Sequence, residues 1–137
     1  MDTFNADVLI YASIRGHPLG RRVLALFRHG SGRIVGSGSV LLLPEVLSKP
    51  RRDGATSELR ALGRLLARLD LRPVDLATAE FATELAAKYR LHAADATHLA
   101  TAVGLGADRF LTNNHRDFPR SIVEVQVTYP ADLPDVE

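Results

Sequence analysis

Three features of the sequence predict an α/β fold with a central, mainly parallel β-sheet flanked by helices on both faces. Short strand candidates alternate with longer amphipathic helices along the 137 residues, a pattern that builds parallel sheets through helical crossovers. The acids Asp7 and Glu45 follow strand ends, and Asp95 stands on a helix before a later strand. All three then reach the C-terminal edge of the sheet, where open α/β folds bind ligands. The hydrophobic fraction of 46% is that of a globular chain long enough for one independent core.

In chain order, residues 3–5 predict a short first strand, and Asp7, ahead of Val8, Leu9, Ile10 and Tyr11, reads as the N-cap of a first helix. Gly16 to Pro18 breaks that helix. Residues 19–29 place Leu19, Val23, Leu26 and Phe27 opposite Arg21, Arg22 and Arg28, an amphipathic helix stopped by Gly30. Ile34 and Val35 suggest a short buried strand. Residues 39–49 predict a third helix behind a serine cap, with Pro44 in or near its first turn or else kinking it, because proline cannot donate to the ladder. Glu45 follows among leucines and valines, either as a solvated helix residue or as a working acid.

Residues 49–54, KPRRDG, read as a basic loop. Residues 57–71 predict a helix with Leu59, Leu62, Leu66 and Leu69 on one side and arginines on another. A short strand at 72–74 and a helix at 76–89 come next. The segment 91–118, LHAADATHLATAVGLGADRFLTNNHRDF, is the richest in chemistry. Its helix, residues 93–104, sets Asp95, Leu99 and Ala102 on one face. Its strand, residues 109–112, delivers Asn113, Asn114, His115 and Asp117. Residues 122–129 alternate as an edge strand. The chain therefore reads as a single domain over residues 1–130, with a loose polar tail at 131–137.

Composition excludes several classes of function. With no cysteine there is no disulfide framework, thiolate metal site or thiol nucleophile. No apolar run approaches a membrane span and no signal-like segment opens the chain, so a cytoplasmic protein is expected. The net charge is +1, yet fifteen of the seventeen basic residues are arginine. That choice suits phosphate recognition, and a GC-rich genome accounts for it equally well. A carboxylate such as Asp95 against an apolar stripe costs several kcal/mol unless a cation or donors satisfy it. Converging carboxylates without Cys or paired His suit hard cations, Mg²⁺ or Mn²⁺. Such a cation activates water and neutralises a phosphodiester.

The stretches NADVLIYA, SVLLLPEVL and KYRLHAADATHLATAVGLGADRFLTNNHRDF resemble PIN-domain ribonucleases of the VapC toxin type, over nearly the whole chain. The resemblance implies a PIN-like three-layer fold and a metal-dependent endoribonuclease, the toxin half of a type II toxin–antitoxin pair. It also implies RNA as substrate, an antitoxin protein as partner, and a homodimer. Glu45 and Asp95 match the family's second and third acids. The first acid falls on Asn5, with Asp7 where the family has asparagine, and the fourth falls on Asn114, three residues before Asp117. The resemblance thus implies Asn5, Glu45, Asp95 and Asn114 around Mg²⁺ or Mn²⁺, with Glu45, Asp95, Asp7 and Asp117 as the catalytic acids. Thr112 offers a hydroxyl, and His98, one turn past Asp95, is placed to orient it.

Asparagine donates a carbonyl oxygen to a hard cation but brings no charge. A PIN-like module that binds RNA or an antitoxin without cleaving is therefore the alternative reading. Asp7 has two readings of its own. It shares the direction of Asn5 if the first strand runs on by two residues, and otherwise it caps the helix. A receiver-like domain with an aspartyl nucleophile fits less well, because neither Lys49 nor Lys88 follows a strand at the predicted edge.

Overall fold

The structure, a computed structural model, describes residues 1–29 and 32–136. Gly30, the expected stop of the second helix, lies outside the described residues. Five strands form one wholly parallel sheet in the order β3-β2-β1-β4-β5. They are β1 (Asp2–Phe4), β2 (Gly36–Ser39), β3 (Leu69–Arg72), β4 (Arg109–Leu111) and β5 (Gln126–Thr128). The helices α1 (Ala6–Ser13), α2 (Pro18–His29), α3 (Leu42–Arg52) and α4 (Thr56–Leu66) supply one core, and α5 (Leu76–Tyr89) and α6 (Ala93–Gly104) supply the other. Successive residues of a strand face opposite ways. Leu111 accordingly joins the first core and Phe110 the second.

α5 and α6 fall on the helices expected at 76–89 and 93–104. Arg90, with φ 57°, turns the chain between them in the left-handed region, a conformation that costs a non-glycine residue about 1 kcal/mol. Pro44 lies in the first turn of α3, the first of its two expected placements.

Other boundaries differ from expectation. β2 is GSGS, displaced from Ile34 and Val35, and Ile34 is 49% exposed. Glycine is poor strand material, but here closeness requires it: a Cβ on Gly36 would stand 2.6 Å from the Asp2 carbonyl oxygen and 2.7 Å from the Phe4 ring. Ser39 ends β2 instead of capping α3, although its Oγ accepts from the Leu41 N–H at 3.1 Å. The segment KPRRDG is helical through Arg52. α4 stops at Leu66, and Leu69 opens β3, which replaces the strand expected at 72–74.

Of the C-terminal residues expected to hang loose, 131–133 are docked. A 3₁₀ turn (Pro130–Asp132) follows β5, Leu133 is buried in the first core, and Arg22 donates to the carbonyls of Ala131 and Leu133. No helix among the described residues is long and apolar enough to cross a membrane.

Candidate metal centre

β1 and β4 are neighbours, and the chain proceeds from β1 toward one flank of the sheet and from β4 toward the other. Open parallel sheets form a ligand crevice beyond the C-terminal ends at such a switch point. The residues that follow β1 and β4 meet there around Thr112, which is fully buried. Its Oγ1 accepts from Asn5 Nδ2 at 3.1 Å and from the Asn114 N–H at 3.1 Å, and donates to Asp7 Oδ2 at 3.4 Å. Thr112 ends the strand and also bridges the two chain segments.

Asn5, 5% exposed, is the N-cap of α1, and its N–H donates to the Leu111 carbonyl at 2.9 Å. β1 ends at Phe4, so Asp7 does not extend the strand. Nor is Asp7 the cap, because it stands in the first turn of α1. Its carboxylate accepts from the Val8 N–H and, across the sheet edge, from the Asn113 N–H, both at 2.8 Å. Burial pushes the Asp7 carboxyl up, against the pull of these donors.

Glu45 extends from the first turn of α3 to His98 on α6, where Oε1 meets Nε2. His98 therefore orients Glu45 and not Asp95, contrary to expectation. The imidazole is 2% exposed, and its Nδ1 has no partner among the described residues.

Asp95, in the first turn of α6, is half-buried. Burial raises its carboxyl first and the facing Asp117 raises it further, with Glu45 adding and His98 and His92 opposing. Asn114 brackets Asp117: its Nδ2 donates to Asp117 Oδ2 at 2.9 Å and its Oδ1 accepts from the Asp117 N–H at 3.1 Å. The asparagine expected to touch a cation thus has both side-chain polar atoms engaged in placing the acid three residues on.

His92, Asp95 and Asp117 each offer one ligand atom, and these atoms lie within 4.8 Å of one another. Two facing carboxylates, the Asp95 one raised by burial and by Asp117, with an imidazole beside them, form a donor set that fits a divalent cation. Sequence reasoning passed over His92, although its place three residues ahead of Asp95 on the same helix side was a readable signal.

The family model for the PIN domain matches residues 5–121. No curated protein matches the chain. Among solved structures, a toxin–antitoxin complex from Klebsiella pneumoniae superposes with a TM-score of 0.74 at 21% identity, covering 95% of this chain and 98% of that one. VapBC2 from Rickettsia felis, bound to a DNA fragment from their promoter, superposes at 0.70 with 17% identity, covering 93% and 97%.

Proposed function

Since the chain belongs to the PIN-domain family, we propose that it is a metal-dependent endoribonuclease and the toxin component of a type II toxin–antitoxin pair. The observation that carries this reading is the pair of facing carboxylates, Asp95 and Asp117, at the C-terminal edge of a parallel sheet. A bound Mg²⁺ or Mn²⁺ supplies Lewis acidity there, lowering the pKa of water and offsetting phosphate charge.

The chain's own residues do the rest. Asp95 and Asp117 hold the cation, Asn114 fixes Asp117, and Glu45, steadied by His98, offers a third carboxylate from α3. Asp7 is an auxiliary acid that keeps the loop after β4 in place through Asn113. Arg116, exposed on that loop beside Asp117, offers a guanidinium to the RNA backbone.

The fold likeness to two toxin–antitoxin structures supports a protein antitoxin as partner. A homodimer is part of the same reading, checked by light scattering after size exclusion. The test of function is cleavage of RNA by the purified protein with Mg²⁺ or Mn²⁺, abolished by chelation and in Asp95→Ala. Cleavage that persists in Asp95→Ala rejects the assignment.

One observation favours a second reading, a module that binds without cleaving: Asn5 and Asn114 are both tied into structural hydrogen bonds where charge was expected. Wild type that is inert with either cation, and gains activity as Asn5→Asp with Asn114→Asp, supports it.

A further inference from the structure

We propose that His92 is a ligand of the cation at this sheet edge, and that its nitrogen tilts the site toward Mn²⁺ over Mg²⁺. The proposal rests on the metal-site reading above and extends it to a residue outside the carboxylate set. His92 is the N-cap of α6, with extended φ/ψ of −69° and 161°, and its side chain makes no capping hydrogen bond. By contrast Asp75, the N-cap of α5, accepts from the Thr78 N–H at 2.8 Å. The imidazole therefore has no part in closing its own helix. It is exposed, and it lies with the Asp95 and Asp117 carboxylates at mutual ligand distance.

Two constraints produce this arrangement. The left-handed turn at Arg90 ends α5 and leaves His92 as the cap ahead of α6, and one helical turn aligns position 92 with position 95. The Asn114 bracket then brings Asp117 over from β4.

The chemistry follows from the donor type. Mg²⁺ prefers oxygen ligands in a strict octahedron, whereas imidazole nitrogen favours first-row transition ions. With Asn5 and Asn114 neutral, a third ligand that needs no further negative charge offsets part of the lost electrostatic attraction.

The test is calorimetric titration of Mn²⁺ and, separately, Mg²⁺ into wild type, His92→Ala, His92→Asn and Asp95→Ala, alongside electron spin-echo spectra of bound Mn²⁺ for ¹⁴N coupling. His92 is exposed, so its variants keep the fold, which far-UV circular dichroism verifies, and asparagine also keeps a competent cap. The expected result is that wild type binds Mn²⁺ with a ¹⁴N signal. Both His92 variants lose that signal and about tenfold or more in Mn²⁺ affinity, with Mg²⁺ affinity nearly unchanged. Wild-type binding that both His92 variants match, while Asp95→Ala abolishes it, overturns the His92 role and leaves the metal site standing. If wild type binds neither cation, the metal-site reading falls and the proposal falls with it.

Discussion

Asn114 and Asp117 grip each other twice, Nδ2 to Oδ2 at 2.9 Å and the Asp117 N–H to Oδ1 at 3.1 Å. The closed ring makes the asparagine a holder of the acid. Asn114→Ala should release Asp117, weaken Mn²⁺ binding about tenfold, and cost about 1 kcal/mol of stability. Titration and urea denaturation of the same samples check both numbers. Unchanged affinity would show that the loop holds Asp117 without the bracket.

The pair of His98 and Glu45 joins α6 to α3 across 53 residues of chain. Because His98 is buried with Nδ1 unpartnered, removing Glu45 leaves both ring nitrogens without a protein partner. Glu45→Ala is expected to destabilise by about 1–3 kcal/mol, and Glu45→Gln, which still accepts a hydrogen bond, by less. A double-mutant cycle with His98→Ala should return a coupling of about 1 kcal/mol. Additive losses would mean the contact contributes nothing.

Asp95 predicts an acid-side signature of the metal-free protein. Burial and then Asp117 raise its carboxyl above the ordinary 3.8, so over that window the folded state binds more protons than the unfolded one. Stability then falls as pH rises through the window. Asp95→Asn should melt higher than wild type at pH 7 and equal to it near pH 3.5. Saturating Mn²⁺ should stabilise wild type and leave the variant unmoved. A variant that melts lower at pH 7 would contradict the strain assigned to this carboxylate.

Gly20 marks where α2 crosses α1. A Cβ there would stand 2.0 Å from the Tyr11 carbonyl oxygen and 2.4 Å from its carbon, a backbone clash that no rotamer relieves. Gly20→Ala is expected to cost about 3 kcal/mol, read as a lowered denaturation midpoint. Gly63→Ala on α4, where nothing lies within 4 Å, should stabilise by about 0.5–1 kcal/mol.

The elements differ in how much local pattern they carry. α5 and α6 are legible because each is a run of helix-forming residues, rich in alanine and set off from its neighbours, and β4 because it is short, apolar and followed by polar turn residues. The identities of Glu45, Asp95 and Asp117, and the family resemblance of the segments around them, are also readable in order along the chain. β2 is not, because GSGS has no β pattern. It is a strand because β1 and β3 pair with it on either side and the Phe4 ring and the Asp2 carbonyl leave no room for a larger residue at Gly36. Leu69 continues a leucine stripe by spacing, yet it pairs with Gly36 in the sheet.

The same division governs the site. Residue type and chain order establish that acids gather at one sheet edge, because chemistry and helix–strand alternation are local properties. Which atoms face one another is a matter of long-range packing. Asp117 faces Asp95 from another element, His98 pairs with Glu45 in place of Asp95, Asp7 is spent on Asn113, and His92 lies beside Asp95 and Asp117. No period in the sequence encodes these pairings, because each depends on where two separately formed elements come to rest against the sheet.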